Sequence, residues 1–416
     1  MIRKFLYLLA AITTISGSGF SKPIATFTTS LTQPTYGLNI PVEINLDEIT
    51  FVPDSTLILS ERIGDKLIPV AFQISHGEHR ILHWIINSKS NPAINRVYEL
   101  TQGNAIPDEN LVEATREDGT LIIHAGKQNL LGYRYATMYP PAGIDSVYRR
   151  SGFIHPLWSP HGQILTRIQP PDHYHHYGIW NSWARVLFEA DTVDFWNLKD
   201  RLGTGRFVNF VAIENGPIFG EFRALLEHIA FKHDGSKKAA LNELQTVRVY
   251  NPNGRDEYIV DITIELSCAS ESPVVLLEYR YGGMGWRATE QWNKDNSEIL
   301  TSEGRTRLDA DGNRARWCIV QGEVDNAYAG AVMMSCPTNY NHPEPMRVWP
   351  VNMNERGDVY TNFWPMRNMD WALEPGGRYC LKYRFLVFNN HYSKEKAEAA
   401  WQGFAEPHVT AVIGDR

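Results

Sequence analysis

Between residues 170 and 183 the chain reads Pro-Pro-Asp-His-Tyr-His-His-Tyr-Gly-Ile-Trp-Asn-Ser-Trp. Three imidazoles (His173, His175, His176), the Asp172 carboxylate and four aromatic rings share this short run. Such a mix is poor core material, because both nitrogens of a buried imidazole need partners. It suits acid–base work on a small polar molecule, with aromatic faces to receive one that is apolar on one side. A sugar ring fits that description. In an extended backbone His173 and His175 would project to one side and His176 to the other. His-x-His is then also a chelate pair that Asp172 or His155 could complete around a divalent metal. The acid–base or binding role is preferred, no metal ligand is assigned, and the plain alternative is imidazoles tied to carboxylates and backbone.

Other segments carry related chemistry. His155-Pro156-Leu157-Trp158-Ser159-Pro160-His161-Gly162 places two histidines in a proline-locked loop, with a strand expected over 163–168. Asp194-Phe195-Trp196-Asn197 repeats the acid-plus-aromatic theme, Asp194 being either a partner for an imidazole or a turn aspartate. Gly282-Gly283-Met284-Gly285-Trp286-Arg287 opens no helix, so it is no phosphate loop and reads as a loop tip presenting Trp286 and Arg287. Arg305 and Arg347 match planar oxyanions, although an ordinary ion pair with Glu303 or Glu344 is the favoured reading. His342, in Asn341-His342-Pro343, joins the substrate-binding candidates. No G-x-S-x-G, H-E-x-x-H, Walker loop or dinucleotide fingerprint occurs, which leaves acid–base chemistry by His, Tyr, Asp and Glu.

Short β-prone runs broken by Gly, Pro, Asn and Asp must position these groups. In 261–266, Ile262, Ile264 and Leu266 share one face while Thr263 and Glu265 share the other, a period-two strand. Arg62-Ile63-Gly64-Asp65-Lys66 reads as a hairpin turn. One helix is expected near the C-terminus, capped by Ser393, running from Lys394 to Trp401 and ended by Gly403. A polar linker over 101–110 separates a small β-sandwich module (23–110) from about 290 residues (111–405) that suit one large two-sheet sandwich.

The 416 residues carry a net charge of −7 and no Lys/Arg block, so nucleic acid is an unexpected partner. The 12 Trp and 19 Tyr suit carbohydrate stacking, as they also suit large sheet cores. Residues 1–22 read as an export signal: Arg3 and Lys4, an apolar stretch from Phe5 to Ile15, then small residues, with no lipidation cysteine. No later segment is apolar enough to span a bilayer, so a soluble periplasmic or secreted protein is expected. Cys268, Cys318, Cys336 and Cys380 are expected mostly as buried small side chains, with room for one disulfide.

The His155–Gly162 run, the Pro170–Trp180 run and Asp194-Phe195-Trp196 together resemble a bacterial family labelled methane oxygenase PmoA, over about residues 120–390. Asn341-His342-Pro343 and Asn362-Phe363 are weaker echoes with different spacing. No histidine precedes His76, so there is no N-terminal histidine brace for copper. The resemblance implies a fold similar to the galactose-mutarotase-like super-β-sandwich, which hosts epimerases, polysaccharide lyases and glycosidases; fold alone does not fix the reaction.

The expectation is therefore an all-β exported carbohydrate-active enzyme that cleaves a glycosidic bond in an oligo- or polysaccharide, without an assigned cofactor. His173, His175, His176, Asp172 and Asp194 would form the catalytic set. His155, Trp180, Trp183, Trp286, Arg287, Arg305, His342 and Arg347 would bind substrate. No pair of carboxylates stands out for hydrolysis, so base-driven β-elimination is slightly preferred. A sugar epimerase and a non-catalytic glycan-binding protein are the alternatives.

Overall fold

Period-two alternation builds the main body. In the strand Glu257–Cys268, Ile262, Ile264 and Leu266 are buried while Asp261, Thr263 and Glu265 are only partly covered. The computed structural model describes residues 22–31, 35–104, 110–405 and 409–413. Residues 1–21 of the expected export signal and 105–109 of the expected linker lie outside these.

Two eight-stranded antiparallel sheets face one another. The long-stranded sheet runs in the order Gly203–Glu214, Phe219–Phe231, Lys237–Tyr250, Glu257–Cys268, Tyr379–Asn389, Ala327–Ser335, Trp317–Val324 and Ser297–Thr301. The short-stranded sheet runs Met346–Val348, Tyr360–Phe363, Gly283–Arg287, Ile179–Ser182, Phe153–Leu157, Gln128–Arg134, Thr120–Ala125 and Val112–Glu117. Their inner faces share one core, where Tyr133 meets Phe222 with ring centroids 4.6 Å apart and Trp286 meets Phe385 at 6.0 Å. This is the expected two-sheet sandwich.

The N-terminal residues form a five-stranded and a three-stranded sheet around Phe27, Leu59, Trp84 and Leu100. The hairpin turn at Gly64-Asp65 forms as read, pairing Ile63 with Lys66. This module is held to the long-stranded sheet, where Gln73 Oε1 accepts from the backbone N–H of Ile218 and Phe219 at 3.2 and 3.1 Å. An unexpected strand, Val409–Ile413, returns to pair with Ala25–Ser30.

Several local expectations are corrected. Gly283–Arg287 is a fully buried central strand and not a loop tip, because its glycines allow close packing: a Cβ on Gly283 would sit 2.6 Å from the Phe363 carbonyl. Residues 163–168 form no strand; they make isolated bridges at Ile164, Thr166 and Ile168. Ser393 does cap the helix, its Oγ accepting from the Lys396 N–H at 3.2 Å, but the helix Lys394–Ala405 passes through Gly403, which packs on Ile40. All four cysteines are free; only Cys318 is buried and Cys380 is exposed.

Candidate functional site

The histidine segment is not extended. Two successive turns, with the His173 N–H donating to Pro170 O at 2.9 Å and the His176 N–H to His173 O at 3.0 Å, fold it back on itself. All three imidazoles therefore touch: His173 lies 5.4 Å from His175 and 4.7 Å from His176, centre to centre. Among the described residues no group of three or more His, Cys, Asp or Glu side chains is arranged to hold a metal ion. Gly178 then turns the chain into the strand Ile179–Ser182, at φ +63°.

The three histidines open onto a cleft of about 300 Å³ at one end of the short-stranded sheet. Trp196, Trp349, Tyr281 and Tyr360 supply its aromatic walls, and Arg280 and Arg347 its cations. Trp349 stands 4.9 Å from the His173 ring and 5.2 Å from Tyr360. No aspartate or glutamate lines this cleft among the described residues.

One imidazole is arranged as a base. Asp172 Oδ2 accepts from His173 Nδ1 at 2.8 Å, and none of the described residues hydrogen-bonds Nε2. Arg287 donates to Asp172 at 3.1 Å and lies 3.3 Å from the Asp358 carboxylate. Asn354 Nδ2 bridges the two acids, at 3.0 Å from Asp172 and 2.9 Å from Asp358. Against the desolvation of partial burial, the His173 hydrogen bond and Arg287 hold the Asp172 carboxyl well below its usual range. It is thus a fixed anion behind His173, the arrangement that sets the imidazole tautomer and orientation.

The other two histidines are of a different kind. Burial, then the neighbouring His173, pushes His175 down to about 3, and burial pushes His176 well below its ordinary value. Both remain neutral near pH 7. His176 Nδ1 and the Tyr360 hydroxyl are buried without a partner. Tyr281 is raised to about 12 by burial, so its hydroxyl, which donates to Asn197 Oδ1 at 3.1 Å, stays protonated.

The remaining predicted residues divide. Arg347 reaches the cleft, paired with Asp311 at 2.7 Å and not with Glu344. Arg287 lies behind Trp349, its guanidinium 4.5 Å from the ring centre. Trp180 sits beneath His176 and Trp196 as support. Asp194 is the turn aspartate: it accepts from the backbone N–H of Trp196 and Asn197 and from Asn197 Nδ2, each at 2.7 Å. It thereby holds two lining residues, while burial raises it to about 6. Trp183 and Trp286 are core residues, fully buried, and not stacking walls. His155 is turned onto Thr166 Oγ1 at 2.9 Å. Arg305 pairs with Asp309 at 2.7 Å rather than Glu303, and His342 stacks on Trp401; neither lines the cleft. Sequence reasoning missed Trp349, Tyr281, Tyr360, Arg280, Asn354 and Asp358; Tyr360 opens the strand Tyr360–Phe363 and the others come from loops. Trp196 and Asn197 lay within a noted motif without being singled out.

A larger cleft of about 460 Å³ lies between the N-terminal module, the long-stranded sheet and the C-terminal helix. Its charged groups neutralise one another, as Arg248 with Glu221 at 2.7 Å and Arg384 with Asp261 at 2.6 Å. The histidine cleft has a base and unpaired polar atoms instead, and is the better candidate.

Fold and site together define a two-sheet β-sandwich protein with an aromatic, histidine-lined cleft. The chain belongs to a family of unknown function, DUF6807, whose model matches residues 120–402 and so includes every residue of the cleft. That family carries no assigned activity, and a methane-oxygenase reading gains nothing from it. No curated protein matches the chain. Among solved structures it is similar to an alpha-mannosidase from Enterococcus faecalis V583 at 10% identity and TM-score 0.45, covering 94% of this chain and 46% of that one. A glycosyl hydrolase family 38 protein from Enterococcus faecalis matches at 9% identity and TM-score 0.44, covering 94% and 47%. A galactose mutarotase related enzyme from Lactobacillus acidophilus matches at 8% identity and TM-score 0.32, covering 67% and 97%. The chain spans less than half the length of the two Enterococcus proteins.

Proposed function

We propose that the histidine cleft binds an acidic sugar unit of an oligo- or polysaccharide and cleaves the adjoining glycosidic bond by β-elimination. The observation that carries this reading is the Arg287–Asp172–His173 relay, ending in an Nε2 that has no partner among the described residues, in a cleft lined by two cations and, among those residues, by no carboxylate. Hydrolysis would call for paired acids about 5–10 Å apart flanking the bond. Elimination needs a base, a cation and an acid. His173 Nε2 takes the proton from the carbon beside the sugar carboxylate. The electron pair forms the ring double bond, and the bond from the neighbouring carbon to the glycosidic oxygen breaks. Arg347 and Arg280 balance the carboxylate charge that grows in this step, and the Tyr281 hydroxyl gives a proton to the leaving oxygen. Trp349 and Trp196 receive the sugar faces.

The test is turnover of uronic-acid oligosaccharides by the full chain and by H173A. The expected result is an unsaturated fragment from the wild type and none from H173A, with oligosaccharide binding retained. Loss of binding and turnover together would instead make His173 a binding group.

A further inference from the structure

A further cleft, of about 340 Å³, opens beside the strand Gly203–Glu214. Tyr148, between the lining residues Val147 and Arg149, meets Tyr174 of the histidine loop with ring centroids 5.6 Å apart. Arg149, Arg150, Arg201, Arg206 and Lys237 all line it, and no acidic residue does among the described residues. In a chain of net charge −7 this local excess is unusual.

Its acidic neighbours account for only part of the charge. Arg206 is paired with Glu227 at 2.8 Å and Arg201 with Asp145 at 2.5 Å. Among the described residues the Arg149 side chain donates only to the Ser146 carbonyl, at 3.1 Å, Lys237 lies 5.5 Å from the Phe231 ring centre, and neither has an ion pair. Arg150 is 2% exposed, donates to the Phe195 and Asn181 carbonyls at 3.0 and 3.5 Å, and has a buried Nε with no acceptor. Its guanidinium lies 5.7 Å from the Tyr177 ring centre and faces Glu243 with no ion pair between them. The space for its guanidinium is kept by Gly205, where a Cβ would stand 2.9 Å from Nη2. A buried, desolvated guanidinium beside two uncompensated cations favours a dianionic or planar oxyanion over water.

We propose that this cleft is a second binding site, for an oxyanion group (sulfate, phosphate or carboxylate), separate from the histidine cleft. The anion sits against Arg149, Arg150 and Lys237, and the opening also has room for a sugar unit that bears it. The site does not depend on the activity proposed above.

Calorimetric titration of the full chain with inorganic sulfate, at low ionic strength with chloride as control, tests it. The R149Q/K237Q protein should bind sulfate at least tenfold more weakly than wild type, while R280Q/R347Q, altered only in the histidine cleft, should bind it as wild type does. Unfolding midpoints establish that both variants are folded. Absence of saturable sulfate binding, or a loss confined to R280Q/R347Q, would overturn the proposal. A sulfated oligosaccharide as second probe separates the sources: tighter binding than sulfate, lost in R149Q/K237Q, marks a glycan-borne group, whereas equal binding marks the free anion.

Discussion

His173 differs from its two neighbours through contacts and not through sequence. It alone has a carboxylate on Nδ1 and an Nε2 with no partner among the described residues, whereas His175 and His176 are held neutral by burial. Replacing His173 with Ala should lower kcat by about 10²–10⁴, the usual worth of a positioned base, with binding changed only a few-fold. Asp172→Asn keeps the shape but removes the fixed anion, and should lower kcat while leaving KM near its wild-type value; steady-state kinetics on the same oligosaccharide checks both. Trp349→Ala should weaken binding by about tenfold, some 1.4 kcal/mol, read as Kd. The segment 170–183 was legible because three imidazoles and an acid among aromatic rings make an implausible core. Trp349 and Tyr360 were not, since each belongs to a segment unremarkable alone and reaches the cleft only once the chain is folded; nor was Asp358, which stands behind the cleft beside Arg287. Trp183 and Trp286 misled for the converse reason: a tryptophan beside a polar motif looks the same in sequence whether it faces a ligand or the opposite sheet.

At the scale of elements, the cleft depends on turns and close backbone approaches. Gly178 is the exit from the histidine loop; its φ is +63° and a Cβ there would lie 2.2 Å from the Ile154 carbonyl. Gly178→Ala should therefore cost on the order of 2–4 kcal/mol of stability and displace the imidazoles, seen as a lower denaturant midpoint and reduced activity together. Period-two strands such as Glu257–Cys268 were readable because one face is buried and the other is not. The strand Gly283–Arg287 was not, because glycine is the common punctuation of loops and only tertiary packing shows that these glycines admit Phe363, Trp364 and Trp196. The helix start was legible from its cap, and its end was not, because Gly403 serves packing on Ile40 instead of a turn.

For the whole molecule, burial of imidazoles sets a response to acid. His83 is lowered to about 3, His155 to about 4 and His175 to about 3, in each case chiefly by desolvation. Below the ordinary value of 6.5 the unfolded chain takes up protons that the folded chain refuses, so stability falls with pH from 6.5 toward 4. Each such imidazole costs about 2 kcal/mol between pH 6.5 and 5. Asp194, raised to about 6, and Glu344, raised to about 7, act with the opposite sign and offset part of this. Urea unfolding at pH 7 and 5 should show the lower midpoint at pH 5. The two-sheet architecture was legible from strand pattern and chain length, while the returning strand Val409–Ile413 was too short to announce itself. The most direct test of elimination in the histidine cleft is the mass of the product formed from a uronic-acid oligosaccharide by the full chain. An unsaturated fragment is expected, with the summed product masses equal to that of the substrate; products gaining one water would contradict elimination, as would an unchanged substrate at saturating binding.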